Sequence, residues 1–553
     1  SEVLTNTGLT AVGYRALANS NGGNNNTAVG YNAGVVISTG GQNVMMGVNT
    51  LLQCTTGSNN TAIGHQALED LTTNGANTAV GYQALMDTTG SNNTGVGYQA
   101  LKSNTTGYYN VALGLQSLAA NTTGVQNVAI GYQALDANTT AHNNVAIGAY
   151  GLGANTTGTN NVAVGYAALD ANTTASNNTG IGKDALGANT TGAQNTAVGQ
   201  NAMGTTTTAT DNCAFGHSAM GSATNTGSGR NNAFGYEALQ NLTTGTQNQG
   251  IGFQAGAALT TGSYNQIMGA EAMENSTTAS NCVAIGHDAL RQNNGNNNVA
   301  IGFQSLTANT TASNNTAMGA YAGSALTTGD NSVAIGRYAL KDCSTGSGNV
   351  AVGLNALETA TTGSNNVAVG TQALESLTTQ NDTVAIGYQA LQSMTTGAGN
   401  CAVGHLAGHV LTTGNDNAIF GYYAGDVLTT GSNNTLVGSN AGGAMTGGYD
   451  NTFVGRVAGQ SLTTGYQNTA IGKDCLKNMD GTTNNTGVGK GCMVNVSGGS
   501  ANTGCGEAAG YTVTTGAQNT FLGKATGGPT TANRTIIIGA DLGDKGNTSN
   551  MVV

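Results

Sequence analysis

Charge is scarce in this chain. Only 7% of its 553 residues are Asp, Glu, Lys or Arg, proline occurs once and tryptophan is absent. Fourteen basic residues against 25 acidic ones leave a formal net charge of −11. No polybasic arm is present to neutralise phosphates, which argues against a nucleic-acid partner. No run approaches the ~18 apolar residues that cross a bilayer, and no basic segment followed by an apolar one opens the chain, so membrane insertion is not expected. The eight cysteines include no Cys-x-x-Cys pair, and the scattered His and Asp form no triad, paired-carboxylate or zinc pattern. Catalytic, metal and cofactor sites are therefore not expected, and the chain does not read as an enzyme. Starting at Ser1 rather than at methionine, it leaves an upstream leader or domain open.

What the chain has instead is a repeat. Taking the glycine of Asn60-Thr61-Ala62-Ile63-Gly64 as position 0, equivalent glycines recur from Gly13 to Gly539 in 32 copies. Of the 31 intervals 27 are 17 residues; those ending at Gly97, Gly302 and Gly539 are 16, and the one ending at Gly235 is 19. A short period held this long predicts an all-β parallel β-solenoid over residues 9–543, with a lead-in at 1–8 and a C-terminal segment at 544–553. Glycine-, Asn- and Thr-rich composition alone would fit disorder, but disordered chains lack strictly placed apolar residues.

Each position has its own chemistry. Position −1 is apolar in every copy, from Val12, Val29 and Met46 to Leu522 and Ile538, and is expected to face a core. Position −2 is usually Ala and position 0 is Gly, so the other side of the strand is small, as chains meeting near a symmetry axis would require. That pattern predicts three chains wound side by side, a homotrimer, with 32 coils at ~4.8 Å apiece making a rod of ~150 Å. Position +4 is mostly Leu or Met; where it is Gly, as at Gly34, Gly256 and Gly408, an apolar residue stands at +7, as if one cavity were filled from either place. Asn at −4 in 27 copies is expected to form a ladder. Thr-Thr-Gly or Thr-Thr-Ala at +8 to +10 is the second corner. Cys475 and Cys492, both at +3 in successive coils, are expected to stay reduced, because in-register parallel side chains give poor bridge geometry.

The wording Asn-Thr-Ala-Val-Gly-Tyr-Gln-Ala-Leu, carried at a fixed period over about residues 9–543, resembles the arrays of phage tail-fibre proteins. It is similar to the head repeats of trimeric autotransporter adhesins, though that repeat is shorter. The resemblance implies a trimeric β-roll in an extracellular setting, as a virion tail fibre or at a cell surface. Function is accordingly expected to be structural: a non-catalytic fibre shaft or host-attachment segment of a viral tail fibre. A bacterial surface adhesin or extracellular filament subunit is the alternative. An ice-binding solenoid is weighed third and disfavoured, since adjacent threonines in an extended strand would point to opposite faces.

Two surface columns could touch a host. Position +1 is often aromatic, and Tyr82, Tyr98, Tyr132, Tyr166, Tyr236, Tyr388 and Tyr422 form a candidate glycan-contact column, for which a structural ring ladder is the plainer explanation. Toward the C-terminus the same column holds Arg456, Lys473, Lys490 and Lys524, a candidate basic stripe for anionic polysaccharide, or simply a solvated face. Gly487-Val488-Gly489-Lys490-Gly491 lacks phosphate-loop spacing and is explained by the repeat.

Overall fold

A three-residue strand recurs once in every copy of the repeat. The computed structural model describes residues 6–224, 229–527 and 530–541. Most of the lead-in, Gly543 and the segment 544–553 lie outside the described residues. The chain divides into two compact units, Ser1–Ser280 and Asn281–Val553. The first holds β1 (Thr10–Val12) to β16 (Gln266–Met268), the second β17 (Val283–Ile285) to β32 (Ile536–Ile538), and no helix occurs among the described residues. Within each unit successive strands pair in parallel at the repeat's own register, as with Val162↔Thr179, Ala163↔Gly180 and Val164↔Ile181. Each unit is thus an all-β parallel solenoid with a 17-residue coil.

Backbone pairing continues beyond the strands. In the coil around Gly165, the Gly165 N–H donates to Ile147 O at 2.7 Å, Ala167 N–H to Ala149 O at 2.9 Å, Leu169 N–H to Ala185 O at 3.0 Å and Asn177 N–H to Thr159 O at 3.0 Å. A coil is therefore held to both neighbours around most of its circuit, which supplies what the burial of two or three side chains cannot.

The strand's orientation corrects the expectation drawn from its apolar column. Position −2 points inward: Ala28, Ala62, Ala129 and Ala163 are fully buried. Position −1 points out: none of its 32 residues is buried, and Met46, Leu113 and Ile147 are 43%, 47% and 38% exposed. The small-residue column is the inside of the chain's own coil, not a surface awaiting a symmetry axis.

The opposite wall explains why only a methyl group fits there. Positions +3 and +4, such as Ala134 and Leu135, are both buried, although neighbours in an extended strand face opposite ways. Gln133 (φ 50°) and Leu135 (φ 53°) lie in the left-handed region, and these two reversals turn consecutive side chains to the same side. For non-glycine residues this backbone costs about 1–2 kcal/mol apiece, offset by burying the leucine. The leucine then occupies the coil's interior and leaves little room at −2.

Seven coils have a large −2 residue: Met45, Ile267, Ile419, Leu436, Phe453, Phe521 and Ile537. In all seven the preceding coil carries glycine at +4: Gly34, Gly256, Gly408, Gly425, Gly442, Gly510 and Gly527. A Cβ on Gly34 would lie 2.5 Å from the Met45 sulfur, and one on Gly510 2.6 Å from the Phe521 ring. Volume is exchanged between facing walls of adjacent coils, as well as between +4 and +7. Gly323, followed by Ala334, and Gly459, followed by Ala470, are the exceptions.

Two polar columns line the interior. At −4, Asn161 is fully buried; its N–H donates to Asn144 Oδ1 at 2.9 Å, its Oδ1 accepts from Asn178 N–H at 2.9 Å, and its Nδ2 crosses the coil to Ala175 O at 2.8 Å. The expected ladder is present, and it is also a strut between the two corners. At +7 a second ladder links Asn104, Asn121, Asn138, Asn155, Asn172 and Asn189 through Nδ2 to Oδ1 bonds of 2.7–3.2 Å. Asn309, also at +7 and one coil beyond Asn293, is outside this ladder: it is fully buried, and neither amide atom has a hydrogen-bond partner among the described residues. Leu377 fills the same place in a coil that, like this one, has a buried leucine at +4, Leu374. Asn309→Leu should therefore raise stability by about 1–2 kcal/mol, because it removes two unsatisfied buried groups; denaturant unfolding that shows no gain would contradict this.

Candidate binding surface

The outward face of each strand carries −3 and −1, and beyond the glycine bend comes +1. In the candidate glycan column the rings stack on one another. Tyr82 lies 5.3 Å from His65 and 5.1 Å from Tyr98, with interplanar angles of 12° and 10°. His217, Tyr236 and Phe253 form a second stack, and Tyr388, His405 and Tyr422 a third. Tyr132 and Tyr166 meet Tyr150 edge-on instead, since Ala149 holds +1 in the coil between them. Ring faces inside a stack are covered by their neighbours, so a sugar meets edges rather than the open faces that favour stacking. The rings remain accessible: Tyr166 and Tyr422 are 52% and 55% exposed.

In the candidate basic stripe, Glu507 sits in the same column. Lys490 Nζ lies 3.5 Å from Glu507 Oε1 and Lys524 Nζ 3.9 Å from its Oε2, while Lys473 pairs with Asp474 at 3.7 Å. Arg456 completes the column as read from the repeat. These pairs are solvent-exposed and contribute little to stability, but they reduce the stripe's net positive field.

The threonine corner also differs from expectation. Thr157 is exposed and Thr156 half-buried, both on the outside of a bend, with Thr156 Oγ1 donating to Thr173 O at 3.1 Å. The two threonines do not face opposite sides. The +8 hydroxyls reinforce the coil-to-coil ladder, as Thr105, Thr122 and Thr139 also do. Outside, at +2, a glutamine ladder joins Gln66, Gln83, Gln99, Gln116 and Gln133 at 2.9–3.3 Å. Recurrence of Gln at +2 was the available signal for it.

Buried cysteines follow the columns. All eight are free. Burial pushes the thiols of Cys54 and Cys343 up to about 11, the main opposing effect being a hydrogen bond to Gly57 and to Gly346 respectively. Cys475 is pushed up by its hydrogen bond to the Cys492 sulfur and then by burial. Since the thiolate is the reactive form, native alkylation with iodoacetamide should label exposed Cys505 first and half-buried Cys213 and Cys401 more slowly. Cys54, Cys282, Cys343, Cys475 and Cys492 should stay unlabelled until the chain unfolds, as peptide mass mapping would report.

No family model matches the chain, and no curated protein is significantly similar to it.

Proposed function

We propose that this chain is a non-catalytic structural subunit, the shaft or host-attachment segment of a viral tail fibre, in which three copies associate side by side outside the cell. The observation that carries this is the outward row at −1, an apolar residue in every coil with none of them buried. Monomeric soluble proteins rarely leave contiguous apolar strips of this extent in water. Within Ser1–Ser280 alone the row comprises the last residues of β1 to β16. At roughly 50–70 Å² apiece these 16 side chains offer on the order of 1,000 Å², above the ~800 Å² per partner of a standard interface. Three is the copy number that the resemblance to tail-fibre and adhesin repeats implies. The stacking of identical coils suits a mechanical role, because each coil passes load to the next through main-chain hydrogen bonds.

Sedimentation equilibrium should give three times the chain mass of 54.6 kDa. The double variant Ile147→Glu with Ile181→Glu, which places charge on two outward positions, should weaken the assembly while leaving the β-sheet circular dichroism unchanged. A parent chain that is monomeric at micromolar concentration, or an assembly indifferent to the double variant, would refute the proposal.

A further inference from the structure

One stretch of the first unit breaks the repeat's rules in two columns at once. At −3, 25 of the 32 residues are Thr or Val; the three amides, Asn232, Gln249 and Gln266, are consecutive. At −5 arginine occurs twice, as Arg230 and Arg534. Arg534 Nε donates to Gln518 Oε1 at 2.9 Å, whereas the Arg230 side chain has no hydrogen bond or ion pair among the described residues. These departures begin within the 19-residue interval that ends at Gly235, the longest in the chain. Arg230, Gln249 and Gln266, with Gln247 and Tyr264 of the −5 column, line a groove of about 300 Å³.

We propose that this groove binds a saccharide bearing a carboxylate. All five side chains are exposed, and no carboxylate is among them. The acid of the −5 column in the preceding coil, Asp211, accepts from Thr210 Oγ1 at 3.2 Å. A free guanidinium presents the planar fork that matches a carboxylate. Three glutamine amides supply donors and acceptors in pairs, as hydroxyl groups require. Tyr264 is 55% exposed and, unlike the +1 rings, is in none of the ring stacks among the described residues, which leaves its face for sugar C–H groups. Ladder spacing sets these groups one coil apart, at ~4.8 Å. A simple anion such as phosphate would use the arginine and leave the amides and the phenol idle.

The test uses the whole chain and does not depend on its assembly state, so its failure and that of the fibre proposal are separable. Saturation-transfer NMR is run with D-glucuronate, D-glucose and inorganic phosphate in competition. Transfer to glucuronate should exceed that to glucose, resist phosphate, and fall about tenfold in Arg230→Gln, the loss of one charge-assisted contact. Tyr264→Ala should weaken transfer to the sugar protons, while Lys102→Gln, outside both the groove and the surface columns, leaves it unchanged. Both groove residues are exposed, and unchanged circular dichroism of the variants would show that folding is retained. No transfer to glucuronate, equal transfer in Arg230→Gln, or displacement by equimolar phosphate would each overturn the proposal.

Discussion

Gly165→Ala should destabilise its unit by at least about 3 kcal/mol, a large effect for a single added methyl group. Gly165 has φ +137°, a region that residues with a Cβ scarcely enter, and the added Cβ would stand 2.5 Å from Gly182 O and 2.7 Å from Gly182 C. The backbone strain alone is about 1–3 kcal/mol. The overlap is with main chain that cannot swing aside without breaking the ladder of the next coil. Gly187→Ala is the matched control. Its φ is not positive, and the nearest atom to a new Cβ is Asp184 O at 3.3 Å. That change should be near neutral, or stabilising by a few tenths of a kcal/mol through the unfolded chain. Urea unfolding of the pair decides the matter: equal midpoints for both variants would mean that the position-0 glycine is not required by the bend.

The second large effect is expected at Asn161. Asn161→Leu removes the acceptor of Asn178 N–H and the donor to Ala175 O, both inside the coil. Leaving the buried Asn178 N–H unpaired costs about 1–3 kcal/mol, and the lost bond to Ala175 O, which still accepts from Asn172 Nδ2 at 3.1 Å, costs about 1 kcal/mol more, so a loss of about 2–4 kcal/mol is predicted. The chain contains its own comparison. At Thr383 the N–H still donates to Asn366 Oδ1 at 3.0 Å, but the hydroxyl turns to Asn381 O at 3.3 Å instead of reaching across the coil. Asn161→Thr should therefore lose the cross-coil strut as Leu does while keeping a polar side chain. In hydrogen exchange, opening should concentrate in the coils flanking residue 161, because each coil touches only its neighbours. Protection lost evenly over the whole unit would contradict the strut.

The fold was legible because its signals are repeated. A 17-residue period, Gly at 0 and Asn at −4 specify stacked coils whose equivalent residues sit in register, and the pairing of Val162 with Thr179 and Val145 follows from that spacing. The ring column was legible for the same reason. Less visible were the left-handed residues at +2 and +4, since Gln133 and Leu135 are not residue types that announce a positive φ. The +7 asparagine ladder was equally quiet, being confined to a run of six coils in the first unit. The groove at Arg230 was hidden in another way: Asn232, Gln249 and Gln266 look like ordinary tolerance in a half-exposed column until the neighbouring −5 residues are placed beside them.

Sequence by itself determined the period, the coil, the position of each corner and the alternation of the strand. Only the tertiary structure decided which side of the strand faces in. Both sides are apolar, one small and one large, and alternation cannot rank them. The deciding fact lies on the opposite wall, where two left-handed residues turn Ala134 and Leu135 inward together. With that leucine filling the coil, the strand can bring only a methyl group to meet it, so Ala goes inside and Val or Ile is left on the surface. A large side chain enters at −2 only where the facing leucine has become glycine.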